Sequence, residues 1–326
     1  MKNITKNFIV AFTVATFMVV GCSEKPEKKV CRVGILSGLD YLLPTIDGFK
    51  EKMTELGYIE GKNIVYDLRK TNYDPPTEKR ILETWVADKV DLIIAFPTEA
   101  ALLAKTATQG TDIPVLFASA FIEGFDLVED VRNPGGNITG VRYPGPDIAI
   151  KSLETLLEIA PKAKRIWLPY LKGGPTVPSQ MKALHEASKI FGIQLVEFPV
   201  SSPEEIQAEL TRRSELTDIG IDAIMHIAEP IAVSSDAVSI ISEFVTKYKL
   251  PYHGTSGECV FILTVDPFNV GKQVALLAEK ILNGIPAGTI PVISADPALT
   301  INYKVARELG ITVPNSVLVK ADTIIR

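Results

Sequence analysis

From Val30 onward, apolar runs of strand length alternate with segments whose apolar residues recur at helical spacing. That alternation constrains the fold more than any other feature, because parallel strands need a crossover between them, usually a helix, that covers the sheet face. Val33-Gly34-Ile35-Leu36 reads as the first strand, and Ile46, Phe49, Met53 and Leu56 share one helical face that stops at Gly57. Strands are expected at 64–68, 91–96 and 114–117, with helices at 77–89 and 99–108. After Gly135-Gly136-Asn137-Ile138-Thr139-Gly140 the pattern restarts, with a helix at 147–159, a strand at 164–168, a helix at 179–190 and a strand at 194–198. Ser202-Pro203-Glu204-Glu205 predicts a capping box with proline at the first helical position. A strand at 222–227 and a helix at 234–248 follow, and 271–282, closed by Asn283-Gly284, reads as a late helix returning to the first unit. The expectation is an α/β chain of two doubly wound, Rossmann-like lobes joined by a hinge, with a ligand cleft at the carboxyl ends of both sheets.

The beginning of the chain speaks to export. Lys2 and Lys6 precede an uncharged run from Phe8 to Gly21, too short to span a bilayer comfortably, and Gly21 is the small residue a signal peptidase needs. Cys22 stands directly after it, where a bacterial lipobox requires a thiol to receive diacylglycerol; the alternative is an ordinary cleaved signal with a chance cysteine. Two or more acyl chains, as on a palmitoylated lipoprotein, hold a protein stably at a membrane surface where one would not. The expected division is a signal peptide at 1–21, a lipidated tether at 22–29, a first lobe at 30–141 plus about 266–292, and a second at 142–265 plus about 293–326. The product is expected to be exported and anchored to a bacterial membrane, facing the periplasm or the cell exterior.

Composition excludes several functions. The net charge of −5 comes without basic blocks, so no footprint for nucleic acid is present. There is no glycine-rich phosphate loop after a strand, no histidine pair at metal spacing and no CxxC element. Gly254-Thr255-Ser256-Gly257 approaches a nucleophile elbow but has Glu258 where that turn needs glycine. His185, His226 and His253 fall on different elements, where a solvated or hydrogen-bonded structural role is expected rather than a metal site. Cys31 and Cys259 remain after lipidation; they either pair or pack as separate thiols. The reading is of a non-enzymatic protein, monomeric, with no cofactor and no metal.

Polar and aromatic residues collect where strands end. Ser37, Asp40 and Tyr41 follow the first strand, Pro97, Thr98 and Glu99 the third, and Ser119, Ala120 and Phe121 the fourth. Arg142, Tyr143, Tyr170 and Glu229 are expected in comparable places in the second lobe. Backbone N–H groups at helix starts take a carboxylate, an acidic side chain takes an amine, and aromatic faces wall a small-molecule site. These thirteen positions are the candidate ligand contacts.

Several strings then carry a resemblance. Val33 to Ser37, Glu55-Leu56-Gly57-Tyr58-Ile59-Glu60-Gly61-Lys62-Asn63, Val90 to Ala95, Ile113 to Ala118 and Asn133-Pro134-Gly135-Gly136-Asn137-Ile138-Thr139-Gly140-Val141 occur in order. They are followed by Asp266 to Gln273, Lys280 to Gly284, and a tail through Asn302, Leu309-Gly310-Ile311 and Pro314. The chain resembles the ABC-transporter substrate-binding family that includes tryptophan-binding lipoproteins, of type I periplasmic-binding-protein fold. The resemblance implies a small ligand, an amino acid or related carboxylate and aromatic if the relatives are a guide, held between the lobes and delivered to an ABC permease with its ATPase; it also implies Ser179 as a further ligand contact of the second lobe. A sensory protein of the same fold, presenting its ligand to a signalling partner, is the alternative. The chain departs from the family at Pro97-Thr98-Glu99, where a Thr-Pro turn is usual, at Phe121-Ile122 in place of Asp-Pro, and at Glu229-Pro230 in place of Asp-Asn; the loop between Pro251 and Asp266 reads as shortened.

Overall fold

The computed structural model describes residues 30–255 and 258–326, so the signal and lipidation expectations for 1–29, Cys22 included, lie outside the described residues. The first lobe runs β1 (Cys31–Ser37), α1 (Pro44–Glu55), β2 (Ile64–Lys70), α2 (Pro75–Ala87), β3 (Leu92–Phe96), α3 (Thr98–Ala107), β4 (Val115–Ala120) and β5 (Ile138–Arg142). The second runs α4 (Gly145–Ile159), β6 (Arg165–Leu171), α5 (Val177–Phe191), β7 (Gln194–Val200), α6 (Pro203–Ser214), β8 (Ala223–Met225), α7 (Ser235–Tyr248), β9 (Tyr252–Gly254) and β10 (Phe261–Val265). The chain then returns through α8 (Pro267–Leu282) and β11 (Ile293–Ser294), and ends with β12 (Pro297–Asn302), α9 (Tyr303–Glu308), α10 (Asn315–Leu318) and β13 (Thr323–Ile325).

The strand orders reveal one plan used twice. The first sheet is β11-β5-β4-β3-β1-β2 and the second β13-β12-β10-β9-β8-β6-β7, so each lobe places its first strand beside its second and third before stepping outward. The first sheet is parallel throughout, and β3 is buried along its whole length, as a strand covered on both faces must be. The second is parallel except where β12 runs against β10.

Local chemistry explains most boundaries. Proline opens α1, α2, α6 and α8, where its missing N–H costs no helical bond. The α1 helix buries Ile46, Phe49 and Met53 and gives way to Gly57 at φ +88°, a left-handed position glycine takes without a Cβ penalty. The helix at 203 begins as expected, yet Ser202 makes no cap bond. Its hydroxyl bonds to Glu204, which lowers that carboxyl's pKa, and Glu205 takes the N–H of Ser201 at 2.8 Å.

Two findings differ from the sequence reading. The segment from Pro251 to Asp266, read as a loop, supplies β9 and β10 in the middle of the second sheet, and their brevity hides any period. Arg142, read with the second lobe, is the last residue of β5 in the first sheet, and Ile293 and Ser294 pair beside it with Val141 and Arg142. The return of α8 to the first lobe depends on two glycines. A Cβ on Gly48 would lie 1.9 Å from the Phe268 carbonyl oxygen, and one on Gly271 2.0 Å from that of Thr45, so α1 and α8 touch backbone to backbone.

Candidate functional site

The carboxyl ends of β1, β3, β4 and β5 form the rim of the first lobe. Ser37 is buried and donates to the Leu39 carbonyl at 3.2 Å, while the Gly38 N–H is held by the Phe96 carbonyl at 2.9 Å. Asp40 is exposed and opens a 3₁₀ turn, Asp40–Leu42, that contains Tyr41. Pro97, after a cis peptide bond, precedes α3, whose first turn has no side-chain cap and carries Thr98, buried, and Glu99, half-buried. The Thr98 hydroxyl accepts the N–H of Phe121 at 3.0 Å, which ties the third strand's loop to the fourth's.

Ser119 is the unusual member. The β4–β5 register shifts between Ala118 and Ala120, so Ser119 is a bulge residue, with a left-handed φ of +49°. Its hydroxyl is buried and has no hydrogen bond among the described residues. Ala120 is buried, and its carbonyl accepts the Tyr143 N–H at 2.8 Å. The Phe121 ring stacks on Tyr143 at 5.1 Å and is itself only 7% exposed, so it is packed at the edge of the rim rather than spread as a wall. The Arg142 guanidinium forms ion pairs with Glu123 and with Asp147, the latter at 3.1 Å, and is charge-compensated within its own loops.

The second lobe disperses its candidates. The Tyr170 hydroxyl donates to Glu197 at 3.0 Å on the neighbouring strand, and burial, then that carboxylate, push its pKa up to about 12. The same Glu197 contacts His185 at 2.7 Å, so Tyr170 belongs to a polar cluster with α5 and β7. Ser179 donates within its own helix start to Thr176 at 3.3 Å. Glu229 accepts three backbone N–H groups, from Leu171 at 3.1 Å and from Ile231 and Ala232 at 3.0 Å. Burial raises its pKa to about 7 against the lowering effect of those three bonds. Its carboxylate therefore joins the loops after β6 and β8. Gln180, which the sequence reading did not single out, reinforces the joint: its amide bonds both the Ala228 carbonyl at 2.9 Å and the Ala228 N–H at 3.0 Å.

The remaining titratable groups stand apart from this rim. His226 and His253 are buried, and none of their four ring nitrogens has a hydrogen bond among the described residues. Burial holds His226 down to about 4, and burial with the neighbouring His226 holds His253 down to about 3. Cys31, on β1, and Cys259, between β9 and β10 of the other sheet, form no disulfide with each other, and burial raises Cys259 to about 12. Among the described residues there is no group of three His, Cys, Asp or Glu able to hold a metal, and no helix long and apolar enough to cross a membrane. A cavity lined by Cys31, Asp91, Pro114, Asn137 and Leu282 lies at the amino ends of β1, β3, β4 and β5, across the first sheet from this rim.

Two sheets built on one plan, each with loops gathered at its carboxyl edge, are the architecture of a type I periplasmic binding protein. Residues 32–325 match the family of ABC transporter substrate binding proteins, and the chain belongs to that family, whose members bind solutes and are not enzymes. A tyrosine-binding protein of Clostridioides difficile (strain R20291) is 28% identical over 315 residues, covering 89% of this chain and 87% of the relative. The ligand-free, open structure of a substrate binding protein with adhesive properties from Clostridium difficile is 26% identical, with a TM-score of 0.74 over 90% of this chain and 99% of that one. A Streptococcus pneumonia domain in complex with L-Trp shares the fold at 24% identity and a TM-score of 0.76, covering 91% of this chain and 100% of that one.

Proposed function

We propose that the protein captures an amino acid, aromatic in side chain, or a related small carboxylate between its lobes and delivers it to the permease of an ABC importer. The observation that carries this reading is Ser119, a buried hydroxyl with no bond among the described residues, at a bulge beside the uncapped start of α3. A ligand carboxylate satisfies both that hydroxyl and the free helix amides, and pairing a buried polar group recovers free energy otherwise lost. The commitment of Arg142 to Glu123 and Asp147 supports a carboxylate read by N–H and O–H donors rather than by guanidinium. Asp40 and Glu99, on the same rim, are the acidic groups suited to an amine. The relatives named for tyrosine and for L-Trp support the ligand class. An acylated Cys22, with the tether to 29, holds a monomer at the membrane within reach of its permease.

Calorimetry with L-tyrosine and L-tryptophan on Ser119→Gly tests the site. Glycine keeps the left-handed backbone and removes the hydroxyl, so binding should weaken by about 1–3 kcal/mol, roughly 5- to 150-fold. Unchanged affinity overturns this carboxylate subsite, and a wild-type protein that binds no amino acid in a metabolite screen overturns the ligand class.

A further inference from the structure

The first connection between the lobes is short and stiff. Pro144 has φ −83° and ψ 63°, and the Gly145 N–H donates to the Tyr143 carbonyl at 2.9 Å, which defines an inverse γ-turn. Pro146 follows, so Gly145 stands between two prolines at the first residue of α4. Glycine is required there by contact rather than by backbone angle: a Cβ would lie 2.1 Å from Cε1 of Phe121. Phe121, directly after β4 of the first lobe, therefore touches the first residue of the first helix of the second. The same ring stacks on Tyr143 at 5.1 Å with 27° between planes, and the Tyr143 hydroxyl meets Thr264 Oγ1 on β10 at 3.3 Å. At its backbone, Phe121 is held by Thr98 and lies two residues after Ser119.

We infer that Phe121 is a positioning residue that sets the angle between the lobes: its ring wedges against Tyr143 and Gly145, and its backbone ties that wedge to the Thr98 and Ser119 loops. The other two connections are held differently, by the Ala295 N–H on the Arg142 carbonyl at 3.0 Å and by the Asp266 carboxylate on the Phe268 N–H at 3.0 Å. A ligand that displaces the Ser119 loop moves the Phe121 ring with it, and the ring has no room to move without shifting the start of α4. This rests on the two-lobe capture reading for its purpose, but the mechanical claim concerns the ligand-free chain. Packed side chains of this kind have discrete arrangements, so the ring selects an interlobe angle rather than damping it.

The test is double electron–electron resonance on the full chain without ligand, with nitroxides at Lys70→Cys and Lys172→Cys, exposed strand-end positions of the two lobes. Cys22 and Cys31 are replaced by serine, and Cys259, fully buried, is left in place. Phe121→Leu removes the stack and should broaden the distance distribution roughly twofold, since the freed crossover samples more angles. Gly145→Ala should shift the mean instead, because its methyl would start 2.1 Å from the ring where ordinary contact begins at 3.4 Å. Phe125→Leu, which removes a ring packed on the first lobe's own core, is the matched control and should leave the distribution unchanged. A wild-type width in Phe121→Leu, or equal broadening in Phe125→Leu, overturns the inference. If Phe121→Leu does not fold, Gly145→Ala decides alone, and an unshifted mean overturns it. No ligand enters the measurement, so a failure of the amino-acid reading leaves its outcome standing.

Discussion

Replacing His226 by leucine should remove an acid sensitivity built into the second lobe. The His226 ring is fully buried 5.7 Å from the Tyr252 ring, and neither of its nitrogens is bonded among the described residues. Burial lowers its pKa from 6.5 to about 4. The unfolded chain therefore takes up this proton as pH falls below 6.5 while the folded chain does not until about 4, so the stability present above 6.5 is lost across that window. Each pH unit costs about 1.4 kcal/mol, so at about pH 5 the loss is about 2 kcal/mol for His226. His253, held down to about 3 against the Phe261 ring, loses a similar amount. Glu229 works in the opposite sense: raised from 4.5 to about 7, its contribution is fully present below 4.5 and is lost as pH rises through 7. The wild-type profile is thus a partial cancellation, and the variant isolates one member of it. Urea unfolding followed by tryptophan emission, with Trp167 on β6 reporting the second lobe, gives the stability at each pH. Near neutral pH the substitution should be close to neutral or stabilising, because it exchanges an unpaired buried polar ring for an apolar side chain. At about pH 5 it should be stabilising by about 2 kcal/mol more. An equal effect at both pH values would mean that the imidazole is not kept neutral by the fold, and would refute the reasoning.

The other predictions concern the loop joint and the anchor. Glu229→Gln keeps the side chain's shape but turns one acceptor into a donor facing backbone N–H groups, so stability at about pH 8 should fall by about 1–3 kcal/mol. Because that carboxylate is committed to the loops, calorimetry should find L-tyrosine and its deaminated analogue weakened by the same factor; a loss confined to the amine would make Glu229 a ligand contact. Cys22→Ala should move the protein from the membrane fraction to the soluble fraction or leave its signal unprocessed, as fractionation and mass measurement would report, and normal processing with unchanged membrane association would sink the anchor.

Much of the fold was legible along the chain because its determinants are local. The helical spacing of Ile46, Phe49 and Met53, the proline at the start of α6 and the glycine after α1 each act within a turn or two, and the structure has those elements within a few residues of expectation. The short strands β9 and β10 escaped, since three to five residues flanked by partners on both sides carry no period of their own. The joining of α8 to α1 rested on Gly48 and Gly271, whose smallness matters only because the two backbones meet.

The candidate site divides along the same line. Residue type and position after a strand suffice to gather Ser37, Thr98, Glu99, Ser119 and Ala120 at one edge, because strand ends in a parallel sheet share that edge whatever their neighbours. Side-chain partners are a different matter, as they depend on residues distant in the chain. Arg142 is neutralised by Glu123 and Asp147, Tyr170 is bound to Glu197, and Glu229 is saturated by Leu171, Ile231 and Ala232. Hydrogen bonds and ion pairs reach about 3 Å, so only the tertiary structure decides which polar group is already satisfied and which, like Ser119, has no bond among the described residues.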